Sequence, residues 1–280
     1  MSRLMERLFL AGALLAIAGT PLAAQEFRVY TRVYDLRSAS GAVSATKDAP
    51  VIARSLTLFH AGKVYDYIDE IGEVIVFDPV HHQFVILNGS RMISTTVDLD
   101  EVTRLVKLAE QETESYAKQL ADSGDPKQAM AIQPLRFQLA PQFDQHFDES
   151  QEKLTLSSRY FRYEVQCATV EMPQAVAAYI RYADWTARLN SVLHPRALLP
   201  GPRLMLNEAL LARGRMPVEV DLQADFESRI HMKAQHQIHW MLDAKDRSLI
   251  NHWETLLKSA DKREVSFREY QRAVLKSRSN

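Results

Sequence analysis

Between Ser55 and Val97 the chain spells five short β-rich runs with room between them only for turns. "SLTLFH", "KVYDYID", "EVIVFD", "QFVILN" and "RMISTTV" are separated by Ala61-Gly62, the neighbourhood of Gly72, "PVHH" and Asn88-Gly89. A parallel pair needs a crossover of roughly a dozen residues. None fits here, so these runs predict an antiparallel meander joined by tight turns.

The middle of that meander is apolar on both faces. Val74 and Val76 oppose Ile75 and Phe77, and Phe84 and Ile86 oppose Val85 and Leu87. An antiparallel sheet usually wets one face, so something must cover both sides here. The helical periods at 99–121 and 173–213 are the expected covers, one on each side. A concave apolar surface partly lidded by helices is the other reading, and it would suit an acyl chain. Tyr65, Tyr67, Ile75, Phe77, Val85 and Leu87 share odd numbering on adjacent strands and are the candidate wall. Plain core is the competing account of each.

The rest of the chain alternates period. "EFRVYTRVYDL" opens as a strand, and "RSASGAVSATKDAP" follows as a loop. Leu99, Val102, Leu105, Val106 and Leu120 recur at helical spacing, with Asp98 or Asp100 as cap and Gly124 to Pro126 as the stop. Strands are expected at Leu135–Phe143, Lys153–Ser157, Tyr160–Val170 and Pro217–Asp225. Helices are expected after Pro173 and Pro202, each proline suiting a first helical position, and near Lys245–Leu257 and Phe267–Leu275, capped by Asp243 and Ser266. The total is about eleven strands and five helices. It reads as an α+β fold on a curved, half-barrel-like antiparallel sheet, with 25–280 as one domain and any sub-division near 122–134.

The first residues read as an address. Arg3 and Arg7 precede the apolar run Leu8–Ala18, and Leu22-Ala23-Ala24 offers small residues for cleavage after Ala24. The apolar run is shorter than the ~20 residues a membrane span needs. A secretory signal peptide over 1–24 is therefore expected, with a periplasmic or extracellular mature chain that has no transmembrane span. Charge is balanced at 34 Lys and Arg against 35 Asp and Glu, which gives nucleic acid no electrostatic reason to bind. The basic tail from Lys258 reads as a solvated helix face.

Signals for chemistry are sparse. "AQHQIHWML" carries His236 and His239, but from Ile230 to Leu242 the period is two. On a strand these histidines point to opposite faces. His231 and His239 share a face but lie about 27 Å apart at ~3.4 Å per residue, too far for one metal. His81 and His82 are sequential in a turn. Cys167 points with the apolar face of its strand and reads as an inert thiol. The carboxylate pairs Asp98/Asp100, Asp122/Asp125 and Asp243/Asp246 sit where helices start or turns need them. "FDQHFDESQE" reads as a polar loop. No phosphate-cradling glycine motif or G-x-S-x-G elbow occurs, so no cofactor and no metal is expected.

The run "GKVYDYIDEIGEVIVFDPVHHQFVILN" is similar to a segment of the periplasmic lipoprotein-carrier fold, in which a half-barrel of about eleven strands wraps helices around an apolar cavity. The resemblance covers about 27 residues, and element order supports the rest. The stretch "YIRYADWTARLNSVLHPRALLPGPRLMLNEALLARGRMPVEV" looks more like a set of exported bacterial proteins with no assigned activity. The resemblance implies architecture; the leading functional expectation is a non-enzymatic exported protein that binds a lipid or other apolar ligand in the concavity, or an envelope partner on its surface. An exported hydrolase with a dispersed site is the alternative, with loops 78–82 and 141–152 and residues His81, His82 and His146 as the places to look. A structural subunit of a surface assembly is a third reading.

Overall fold

The first strand of the chain lies in the middle of the sheet. This computed structural model describes residues 26–37, 49–124, 126–194, 197–225 and 229–277. The expected signal peptide and most of the loop before Pro50 lie outside the described residues. Strand β1 (Phe27–Asp35) pairs with β2 (Val51–His60) on one side and with β11 (Arg229–His239) on the other. From β2 a meander runs outward through β3 (Lys63–Ile68), β4 (Glu73–Asp78), β5 (Gln83–Asn88) and β6 (Ile93–Asp98). A second runs inward from the far edge through β7 (Asp144–Asp148), β8 (Lys153–Ser157), β9 (Phe161–Thr169) and β10 (Arg215–Asp225) to β11. A two-residue stub, β12 (Arg263–Glu264), adds parallel to β6. The twelve strands among the described residues form one open sheet, antiparallel everywhere else.

Getting from β6, next to one edge, to β7 at the other requires crossing the sheet, and helices make that crossing. They are α1 (Leu99–Asp122) and α2 (Pro126–Leu139). Between β9 and β10 come α3 (Pro173–Leu193) and α4 (Gly201–Ala212). Leu99, Val102 and Val106 of α1, and Ala175, Val176, Ile180 and Leu189 of α3, join one buried cluster with inward side chains of the sheet. That cluster reaches from Ile93 and Val97 on β6 to Leu154 and Leu156 on β8. One core touching strands so far apart requires the sheet to curve around the helices. Each fully buried Phe or Leu there contributes about 1.5–3 kcal/mol.

The opposite face differs between its halves. Over β3–β5 it is apolar, and α5 (Ala244–Lys258) covers it: Leu58, Tyr65, Val74, Val76 and Leu87 pack against Ile250 and Trp253. Over β8–β11 it carries charge ladders instead, such as Lys153–Glu164 and Lys233–Glu219 at 2.5 and 2.7 Å. The helices at 99–122 and 173–212 thus lie on one face together, and the helix that covers the other face is α5. The covers do flank both faces of β4 and β5, but the hydrophobic periods alone do not say which helix goes where.

Two segments depart from their sequence reading. Residues 135–139 belong to helix α2, not to a strand, although Leu135, Phe137 and Leu139 alternate; Pro134 lies inside this helix. Ile132 of α2 packs with Ala117 and Leu120 of α1, a tertiary contact that overrides local alternation. Residues 144–148, read as loop, form the edge strand β7. The predicted caps hold on α5, where Asp243 accepts from the Asp246 N–H and Asp246 accepts from the Asp243 N–H. They hold also on α6 (Phe267–Ser277), where Ser266 and Glu269 bond reciprocally. Asp98 occupies the cap position of α1 but its side chain makes no capping bond.

Candidate functional site

An apolar cavity of about 310 Å³ opens between the inward face of β1, β9, β10 and β11 and the helices above. Its floor is built by register. Val33 lies opposite Ala234, which lies opposite Val220; the next row holds Met232, Leu222 and Tyr163. Ala187 and Asn190 of α3 form one wall, and the segment Ala197–Pro202 forms the roof. Small-molecule sites usually occupy about 300–1,000 Å³, so this one suits a single short chain.

The roof is pinned. The Leu199 N–H donates to Gln138 Oε1 of α2 at 2.9 Å, and Gln138 is buried. At Gly201 an added Cβ would lie 2.5 Å from the Gln138 carbonyl oxygen. A side chain there cannot be accommodated, so glycine allows the start of α4 to press against α2.

Arg203 is the one formal charge among the described lining residues. Its Nε donates to Asn207 Oδ1 at 3.0 Å, and Asn207 in turn donates to Asp184 Oδ1 at 2.8 Å. The nearest carboxylate of this chain of contacts therefore meets the guanidinium only through an amide. Among the described residues no Asp or Glu pairs with Arg203 directly. Burial pushes the Tyr163 phenol up to about 12, against the opposing pull of Arg203.

His236 lies beside this site. It points inward from β11, two residues beyond Ala234, opposite Thr31. Its Nδ1 shares a hydrogen bond of 2.9 Å with the Thr31 hydroxyl. Its Nε2 is closed off from solvent, with no partner among the described residues. Burial, helped by the Arg203 charge, lowers its pKa to about 3, so the ring is neutral at ordinary pH. His239 lies on the other face, opposite Arg28. No described cluster of three or more His, Cys, Asp or Glu side chains can hold a metal.

The six candidate wall residues do not form one wall. Tyr65 lies opposite Val76 and Val76 opposite Val85, so the numerical parity of a face switches from strand to strand. Tyr65, Tyr67, Val85 and Leu87 share the outer face under α5, where both tyrosines stack on Trp253. Ile75 and Phe77 face inward, Phe77 against Phe84 and Tyr182 at 5.1 and 6.1 Å. None of the six lines the inward cavity. Val85 lines a smaller, charged hollow of about 240 Å³ with Lys63, Asp78 and Glu254.

The loops reserved for a hydrolase hold no converging set. His81 Nδ1 contacts Asp78 at 2.8 Å but the ring is largely exposed. His82 sits edge-on to Trp185 at 6.3 Å, and His146 is exposed on β7. Cys167 is buried, and burial raises its thiol to about 11, which leaves it unreactive at neutral pH.

Sequence reasoning missed Arg203, Asn207, Tyr163 and Asn190. A signal was present in "GPRLMLNEALL": Arg203 and Asn207 are four apart, on the same side of the helix as the buried Leu206 and Leu210. Polar residues on an apolar helix face require an explanation.

Fold and site together define a class: an α+β protein with an open, curved sheet and an inward, mostly apolar cavity whose described lining includes one arginine. No protein-family model matches the chain, and no curated protein is similar to it. The chain's own geometry therefore carries the functional reading. No described helix is long and apolar enough to cross a membrane.

Proposed function

We propose that the protein is an exported, non-enzymatic binding protein that holds an apolar ligand in the cavity between β9–β11 and α3–α4. The observation that carries this reading is the lining itself: Val33, Leu199, Val220, Leu222, Met232 and Ala234 face an opening of about 310 Å³ that the described residues do not fill. Protein interiors are close-packed, and an open apolar hollow forfeits dispersion contacts that a ligand would restore. The likeness of the first meander to lipoprotein carriers supports the same class of ligand. Export rests on the leader, and N-terminal sequencing of secreted material should begin at Gln25.

Native mass spectra of protein purified without detergent, followed by denaturing spectra and solvent extraction, test the binding. The expected result is excess mass that leaves on denaturation and extracts as an acyl compound. Ala187→Trp, which fills the cavity from α3, should abolish that excess while leaving the fold intact by circular dichroism. A bare polypeptide mass for the parent protein, together with no uptake of added alkyl probes, would overturn the reading.

A further inference from the structure

We infer that the cavity selects a single-chain amphiphile with a carboxylate head, the carboxylate on the Arg203 guanidinium and the chain along the floor of β1, β10 and β11. This rests on the apolar-ligand reading above and adds the chemistry of the head group. Three features carry it.

The first is charge. Among the described residues Arg203 is the only ionic group lining a mostly apolar space, and no described carboxylate pairs with it. A cation partly withdrawn from water without a counter-charge is costly. A ligand carboxylate would supply that charge and can take two parallel N–H bonds from the planar fork.

The second is orientation. Asn207 Oδ1 holds the guanidinium through Nε at 3.0 Å, and Asp184 holds the Asn207 amide. The head of Arg203 is therefore set in place before a ligand arrives, which lowers the cost of binding.

The third is the set of neutral donors in the same lining. Tyr163 and Asn190 line the cavity alongside Arg203, and both are neutral groups able to donate a hydrogen bond. One cation with neutral donors matches a singly charged carboxylate. A phosphate ester, carrying more charge, would call for further cations. The closed-off His236 Nε2 in the Arg203 field marks the same inward corner as polar and short of partners.

The test compares decanoate, methyl decanoate and decanol by titration calorimetry on the delipidated protein. Decanoate is expected to bind at least tenfold more tightly than its methyl ester or decanol. Arg203→Met should bring decanoate down to the level of decanol. Equal affinities for the three ligands on the parent protein would overturn the head-group assignment but leave apolar binding in place. That comparison needs no variant, so a misfolded Arg203→Met cannot obscure it. A preference for decanoate that survives Arg203→Met in a folded variant would also overturn it. Binding of none of the three would overturn the apolar-ligand reading as well.

Discussion

His236 shows how one side chain can couple acid stability to the site. Its pKa is about 3 in the fold against 6.5 for an ordinary histidine. The unfolded chain therefore takes up a proton as the pH drops through 6.5, while the folded chain does not. The folded state's advantage is complete above pH 6.5 and is lost progressively as pH falls toward 3. Between pH 7 and pH 5 this group alone should remove about 2 kcal/mol, at 1.36 kcal/mol per unit. Urea unfolding of the parent protein and His236→Asn at those two pH values checks it. The variant should show a pH loss smaller by about that amount, and identical slopes would refute the assignment. At another single position, Met92 carries φ +49°, a left-handed conformation that costs a residue with a Cβ about 1–2 kcal/mol. Allowing for the entropy of glycine, Met92→Gly should raise the stability by up to about 1 kcal/mol in the same assay.

At the scale of elements, three hairpins use one turn. Asp78, Asn88 and Asp148 each end a strand and accept, through Oδ1, the N–H three residues on: His81, Arg91 and Gln151. The fourth residue on, His82, Met92 or Glu152, takes positive φ. An Asx side chain that holds its own turn in this way is a local device. It explains why 144–152 is a hairpin and not a loop: "FDESQE" repeats the plan of "FDPVHH". Asp148→Ala should therefore loosen β7 selectively, with faster amide exchange at 144–157 and little change at β2–β6. Helix α5 has a comparable anchor. Arg28 on β1 reaches Asp243 and Asp246 at 2.8 and 2.9 Å, and Asp246 is almost wholly buried. Removing the arginine leaves a buried carboxylate without its cation, so Arg28→Ala should cost on the order of 3 kcal/mol. Denaturant midpoints would show it.

For the whole molecule, the decisive arrangement is a sheet whose two halves are finished differently. The β2–β6 half is closed on its outer face by α5. The β7–β11 half leaves its outer face to charged ladders and keeps the cavity inside. Trp253 joins α5 to Tyr65 and Tyr67. Trp253→Ala should cost about 3–5 kcal/mol without changing ligand affinity, because the cavity lies across the sheet. Gly201→Ala should do the reverse. Its Cβ would meet the Gln138 carbonyl oxygen at 2.5 Å, so the roof must lift and alkyl ligands should bind more weakly, with smaller effects on the unfolding midpoint. Calorimetry and denaturation of the two variants side by side would separate cover from roof.

What the residues determined by themselves was local. Short runs between tight turns demanded antiparallel pairing, period two placed His236 and His239 on opposite faces, and Asp243 and Ser266 marked helix starts. These follow from the reach of a few bonds, so they can be read without knowing neighbours. The tertiary structure decided everything that depends on which strand meets which. Tyr65 and Phe77 looked like partners by number, but pairing Tyr65 with Val76 sends them to opposite faces. The alternation at 135–139 yielded to packing against α1. The cavity gathers Val33, Asn190, Arg203 and Val220 from across the chain because β1 inserts between two meanders. Such long-range pairing is set by burial of a shared core and leaves no fixed spacing in the sequence to read.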